Sequence, residues 1–162
     1  MTHAPLPALA EAPPWRVEPE AAGDAAAIDA LVLAAFGPGR FAKTAERLRE
    51  GANPVAGFVI RSESRTIGSV RLWPIRVGET AALFLGPIAV EAESRREGMG
   101  AALVRACLDA AGETGVLLVG DPPYFERFGF RPVAGPRLPG PVDPRRVMWS
   151  GAGEPAGAVR AG

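Results

Sequence analysis

The chain has 162 residues, 48% of them hydrophobic, and its 18 basic and 18 acidic side chains cancel. That length suits one domain with a sizeable core, and the charge balance argues against a general polyanion binder such as a nonspecific nucleic-acid protein. The only histidine is His3 and the only cysteine is Cys107, so the folded part can build no Ser-His or Cys-His nucleophile, no His/Cys metal cluster and no internal disulfide.

Met1–Pro14 holds four prolines and is expected to be a disordered N-terminal tail. It lacks the basic start and unbroken apolar core of a secretory signal, and no apolar run in the chain approaches membrane-spanning length. A cytoplasmic protein is the expectation, with no membrane partner. Trp15–Val17 reads as a first strand. Ile28, Leu31, Val32 and Ala35 fall at helical spacing within Ala25–Phe36, with Asp24 as a candidate cap. Gly37-Pro38-Gly39 breaks that helix, and a second is expected over Ala42–Arg49. Pro54–Ser62 and Thr66–Val77 read as an antiparallel hairpin, and Ala81–Val90 as the next strand.

A helix from Gly98 to Ala111 places Leu103, Cys107 and Ala111 on one face, where Cys107 serves as a small buried apolar group. Val116–Val119 is short and fully apolar, as in the centre of a sheet. Asp121-Pro122 reads as a capping side chain followed by proline at the first helical position. Gly129 ends that short helix. Phe130–Val133 and Arg146–Ser150 are the last expected strands, and 151–162 is expected to be a disordered tail. The domain is therefore drawn at 15–150. A helix between Val90 and Val116 implies a parallel strand pair, whereas the early hairpin implies antiparallel pairing. A mixed sheet with helices on both faces follows.

The chemistry points to the strand Phe84–Val90 and the turn after it. Arg95-Arg96-Glu97-Gly98-Met99-Gly100-Ala101 reads as a glycine-studded helix start. Helix N-termini carry unpaired N–H groups and about half a positive charge, which suits a phosphate, and two arginines add cationic forks. It is not a Walker loop, since G-x-x-x-x-G-K-S/T is absent and the one lysine is Lys43. A dinucleotide fingerprint would need glycine where Leu103 stands. A plain strand-to-helix turn is the bland alternative. Gly86-Pro87 interrupts the preceding strand, because proline offers no N–H to a ladder. A bulge there leaves backbone of Ile88, Ala89 and Val90 to pair with an amide-bearing ligand. A phosphate site at one end and an open strand edge at the other suit coenzyme A.

These residues resemble the GCN5-related N-acetyltransferases (GNAT). The family's acetyl-CoA motif is Gln or Arg, two residues, Gly, one residue, then Gly or Ala, and Arg95 to Gly100 matches it. Leu85–Val90 is similar to the family's splayed fourth strand, and Phe125-Glu126-Arg127-Phe128-Gly129-Phe130 to its Tyr-x-x-x-Gly-Phe ending. The resemblance implies an α/β fold with a mixed, mostly antiparallel central sheet splayed at the fourth strand and helices on both faces. It implies transfer of an acetyl group from acetyl-CoA, with no metal, to a primary amine on a small-molecule or peptide acceptor. The implied cofactor residues are Ile88, Ala89, Val90, Arg95, Arg96, Glu97, Gly98, Met99, Gly100, Ala101 and Phe125. A homodimer is left open.

This sequence departs from the family at the general acid. The usual tyrosine position is Phe125, and the tyrosine stands one residue earlier, at Tyr124. One helical residue turns a side chain by about 100°. Tyr124 acting as a displaced acid, water protonating the thiolate, and acyl-CoA binding without transfer all stay open, the last as a non-catalytic acyl-CoA-binding or sensor domain. An unrelated nucleotide-binding domain is a third class. No base is identified. Acceptor recognition is expected from Phe36–Arg40, the Trp73 strand and the Ala134–Pro144 connection, the loop-borne parts of a rigid scaffold.

Overall fold

Neighbouring residues of a strand turn to opposite faces of a sheet, and Val59 and Ile60 use this to anchor two different layers. The computed structural model describes residues 14–37 and 44–162. β1 (Trp15–Pro19) leads through a 3-10 turn (Ala22–Asp24) into α1 (Ala25–Phe36). β2 (Ala56–Ser62), β3 (Arg65–Val77), β4 (Thr80–Leu85) and β5 (Ala89–Val90) follow. After a 3-10 turn (Ala92–Glu97) come α2 (Met99–Ala111), β6 (Val116–Val119) and α3 (Pro122–Phe125). β7 (Arg131–Pro132), β8 (Pro136–Arg137), β9 (Val147–Ser150) and β10 (Gly157–Ala161) complete the order.

The main sheet runs β1-β2-β3-β4-β6-β9-β7. Its neighbours are antiparallel except for β4 and β6, whose parallel pairing spans the α2 crossover. Ile60 packs with Met99, Leu103, Val104 and Cys107 of α2 on one face. Val59 packs with Ile28 and Val32 of α1 on the other. Helices therefore cover both faces of a mixed, mostly antiparallel sheet. Removing Leu103 and Val104 fully from water contributes about 1.5–3 kcal/mol each.

The sheet opens where the sequence places Gly86-Pro87. β4 pairs with β6 only at Leu83–Val116 and Phe84–Leu117. Gly86 has φ of 144° and begins a cis peptide with Pro87. Its N–H donates to the Arg71 carbonyl at 3.0 Å, and the Trp73 indole N–H donates to its carbonyl at 2.6 Å. The chain then continues as β5, which pairs with β3 at Gly68–Val90 and Ser69–Ala89. Among the described residues no ladder joins β5 to β6, so the expected single strand over Ala81–Val90 is two strands and a splay.

Other expectations need correction. The stretch 151–162 is not a disordered tail: β10 pairs antiparallel with Ile75–Val77 of β3 and parallel with β8, and Val159 is buried in the core. The ordered domain therefore extends past residue 150. The second helix is a 3-10 turn over Thr44–Leu48; Ala42, Lys43 and Arg40 lie outside the described residues, as does the tail up to Pro13. Asp24 does not cap α1. Its carboxylate accepts from the Ala21 N–H at 2.8 Å and takes a bidentate pair from Arg61 at 2.9 and 2.8 Å. That hydrogen bond to Arg61, with the backbone one, holds the Asp24 carboxyl below its ordinary 3.8.

A carboxyl depressed on folding stabilises above its unfolded value and loses that contribution as pH falls through its folded value. Asp24→Asn is thus expected to lower Tm at pH 7 and to converge on wild type in strong acid. Thermal melts across this range check it, and a pH-independent gap would contradict it.

Candidate functional site

α2 begins with backbone that only glycine adopts readily. Gly98 has φ 80° and ψ 12°, in the left-handed region. The first intrahelical bond runs from the Ala102 N–H to the Gly98 carbonyl at 3.1 Å. The N–H groups of Met99, Gly100 and Ala101 consequently lie at the open end of the helix. The two glycines differ in kind. A Cβ on Gly98 meets nothing within 4 Å, whereas one on Gly100 stands 2.9 Å from the Tyr124 hydroxyl.

A groove of about 470 Å³ runs beside this turn. Ile88, Val90, Gly98, Gly100, Ala101, Tyr124, Phe125 and Arg127 line it, seven of them expected from the sequence. Glu91 donates its N–H to the Ile67 carbonyl at 2.8 Å, toward β3. Strand alternation turns the backbone groups of Ile88 and Val90 toward the opposite edge. Ala89 and Met99 are buried at 2% and 1% exposure and do not line this groove. Arg95, Arg96 and Glu97 belong to the 3-10 turn before Gly98, and their side chains lie outside the described residues.

Arg127 escaped the sequence reading. Its guanidinium stacks 4.7 Å from the Tyr124 ring centroid, and among the described residues it has no carboxylate partner. The only local signal was a cation at the end of a short helix. An arginine held on an aromatic ring beside free helix N–H groups suits an anion.

A second cavity of about 620 Å³ lies within the splay and shares Ile88 and Phe125 with the groove. Its walls come from Val32 and Phe36 of α1, from Leu85–Ile88, from Leu118–Asp121, and from Pro141–Asp143 with Arg146. The expectations for Phe36 and the Ala134–Pro144 connection thus fall on this cavity. Trp73 does not line it: it is buried beneath the splay with its indole on Gly86.

Phe125 sits at the junction of groove and cavity. Its ring lies so close to Gly120 that a Cβ there would stand 2.3 Å from it. Tyr124, one residue earlier, lines the groove and puts its hydroxyl at Gly100. The Asp121 carbonyl accepts the N–H groups of Tyr124 and Phe125 at 3.1 and 3.0 Å, and its carboxylate makes no capping bond. Asp121 is exposed and is one of the residues around the larger cavity. Three other charged groups share the wall: Arg49 pairs with Glu46 at 2.9 Å, Asp143 is held by Arg145, which keeps its carboxyl below the ordinary range, and Arg146 donates its Nε–H to the Gly120 carbonyl at 3.2 Å. Cys107 lines neither space, and burial pushes its thiol up to about 12.

Known proteins are similar to this chain in sequence and fold. The family model of the acetyltransferase (GNAT) domain matches residues 54–132. YhbS of Escherichia coli K12, named an uncharacterized N-acetyltransferase, is 35% identical over 113 residues, covering 66% of this chain and 68% of its own. The crystal structure of Escherichia coli YhbS in complex with CoA aligns with a TM-score of 0.76 at 29% identity, covering 91% of this chain and 89% of that one. A GNAT family acetyltransferase of Brucella melitensis, solved with acetyl-CoA, shares the fold at a TM-score of 0.69 and 24% identity, covering 91% and 96% of the two chains.

Proposed function

The chain belongs to the GNAT family of N-acetyltransferases, and on that premise we propose that it moves an acetyl group from acetyl-CoA to a primary amine by direct attack in a ternary complex. The observation that carries this reading is the groove that runs from the glycine turn to the splay and meets a second cavity at Ile88 and Phe125. In this reading the pyrophosphate lies on the N–H groups of Met99, Gly100 and Ala101. The Arg127 guanidinium faces it from the Tyr124 ring. The pantetheine arm follows β5 as a short added strand against Ile88 and Val90. The thioester then reaches the junction by Phe125, and the acceptor enters through the larger cavity.

The transfer needs a neutral amine, a polarised carbonyl and a stabilised thiolate. The amine nitrogen bonds to the thioester carbon, the C–S bond breaks, and the sulfur takes up a proton. A thiol near pKa 8.5 is an undemanding leaving group, so water can supply that proton. A lysine-type amine with pKa about 10.4 is neutral in only roughly one part in a thousand at pH 7. Deprotonation is therefore the harder task.

The place of the Tyr124 hydroxyl, over Gly100, favours a role at the phosphate end over protonation of sulfur. Tyr124→Phe keeps the ring and the Arg127 stack and removes only the hydroxyl. A modest loss of turnover is expected. A fall of about 10²–10⁴ would instead make the phenol the proton donor. Phe125→Tyr is the complement, and it should raise the rate if the sulfur lies within about 3 Å of the new hydroxyl.

Titration of CoA by calorimetry, followed by free-thiol release over an amine panel, tests the whole reading. The alternative, an acyl-CoA-binding or sensor domain, is favoured by Phe125 standing where the family's tyrosine is expected. CoA binding without turnover of any amine would select it.

A further inference from the structure

Resting on the acetyl-transfer reading, we infer that the acceptor carries a carboxamide beyond its amine, and that a small recess around Ser69 receives that group. β3 builds one wall of the recess by strand alternation. Ser69, Arg71 and Trp73 turn to the face that α1 covers, the same face as Val59, which stands opposite Ser69 on β2. A recess of about 120 Å³ lies between these side chains, Ile28 and Val32 of α1, the Glu46–Arg49 pair and Pro87. It shares Val32, Arg49 and Pro87 with the larger cavity. Pro87 directly precedes Ile88, which lines both that cavity and the cofactor groove. The recess is therefore a side pocket of the acceptor space, next to the junction where the thioester is expected.

Hydrogen-bond accounting singles out one group in it. The Trp73 indole is spent on the Gly86 carbonyl at 2.6 Å. Arg71 gives Nε and Nη2 to Glu20 at 2.9 and 2.8 Å, and Arg49 gives Nη2 to Glu46 at 2.9 Å. Ser69 is 1% exposed, yet its hydroxyl makes no hydrogen bond to any described residue. No fully enclosed side-chain oxygen or nitrogen among the described residues lacks a partner, so this hydroxyl opens onto the recess. A hydroxyl held there without a partner is costly, and a ligand group that meets it recovers that cost.

Charge decides what kind of group. Both arginines already carry a carboxylate, and Asp29 lines the recess as well. A further anion gains little there to offset its desolvation, and a cation would stand beside two guanidinium groups. A neutral group with both an acceptor and a donor fits. The carbonyl of a carboxamide accepts from the Ser69 hydroxyl, and its N–H donates to the Glu46 carboxylate. Ile28, Val32 and Pro87 match the methylenes that join this group to the amine.

The test uses the full chain with acetyl-CoA and reads free-thiol release. Three matched sets of acceptors are compared: β-alaninamide and its longer ω-amino carboxamide homologues, the corresponding ω-amino acids, and n-alkylamines. At the best chain length the carboxamide is expected to exceed both counterparts by about 10–100-fold in kcat/KM, the worth of two neutral hydrogen bonds. Ser69→Ala should cut this advantage by about 3–10-fold, the share of one of them. Wild type and variant meet the same amines, so differences in amine pKa cancel from that comparison. CoA calorimetry on the variant is expected to give the wild-type affinity. An undiminished carboxamide advantage in Ser69→Ala, or a preference for the ω-amino acid or the alkylamine at every chain length, overturns the inference and leaves acetyl transfer standing. A loss of CoA affinity in the variant also overturns it, since Ser69 would then serve the framework of the splay. CoA binding with no turnover of any amine overturns both readings, as does a wild-type chain that binds no CoA.

Discussion

A Gly98→Glu variant is expected to fold and to lose CoA binding. Gly98 has φ 80°, so any side chain there carries strain of roughly 1–3 kcal/mol. A Cβ at this position meets no atom within 4 Å, so the folded chain accommodates it sterically. The damage falls on the ligand. The open N–H groups of Met99, Gly100 and Ala101 lie immediately beyond, and a glutamate one residue before them competes as an anion for the same donors and repels a pyrophosphate. Two lost charge-assisted hydrogen bonds, at about 1.5–3 kcal/mol each, correspond to roughly 10²–10⁴-fold in Kd. Gly98→Ala separates the causes, since it carries the strain without the charge and should bind measurably better than the glutamate. Calorimetry on both variants decides the matter. Unchanged affinity in a folded Gly98→Glu protein would place the pyrophosphate elsewhere.

This turn was legible in the sequence because its determinants are local. A left-handed residue, a helix start and small groups at close approaches all demand glycine at fixed spacing. The bounds of α1 were readable for a similar reason: apolar periodicity ends at Gly37, whose φ is 68°. The four apolar residues of β6 announced a central strand. The splay too was signalled locally, by one proline inside an apolar run.

Determinants distant in the chain were not readable. Asp24 and Asp121 both look like caps, and neither side chain caps its helix. Asp24 is taken by Arg61, 37 residues away. Asp121 is freed because its own carbonyl satisfies the helix N–H groups. Likewise, Tyr124 and Phe125 were visible as an inverted pair, but which of them meets the groove and which the junction depends on how the short helix sits over Gly100 and Gly120. Arg127 acquires its place only through the ring it stacks on. β10 shows one buried valine between exposed neighbours, too short a pattern to separate from a tail without its partner β3.

That strand gives the second large expected effect: deleting residues 152–162 should lower Tm markedly and leave CoA affinity nearly unchanged. β2 pairs with β3 only as far as Leu72, so the length of β3 beyond it needs another neighbour on that edge. β10 supplies it at Ile75–Val77. The Gly78 N–H donates to the Ala158 carbonyl and the Gly162 N–H to the Pro74 carbonyl, each at 2.9 Å. The ordering of these residues offsets much of what the backbone bonds contribute. Burial of Val159, 3% exposed among Ile75, Val77 and Trp149, remains at about 1.5–3 kcal/mol. For a domain of this size each kcal/mol shifts Tm by roughly 2–4 °C, so a fall of about 3–12 °C is expected. The truncation also bares an edge of β3, which invites self-association on heating. Val159→Asp in the full chain tests the same contact without shortening it, and should destabilise at least as much. Binding should survive, because β10 meets β3 at Ile75–Val77 whereas β5 meets it at Gly68 and Ser69. Five residues of strand lie between Ser69 and Ile75, a span of about 20 Å at roughly 3.3 Å per residue step. An unchanged melting temperature in the truncated protein would show that β10 contributes nothing to the fold. A CoA affinity that fell with it, measured well below the transition, would show that the two ends of β3 are coupled.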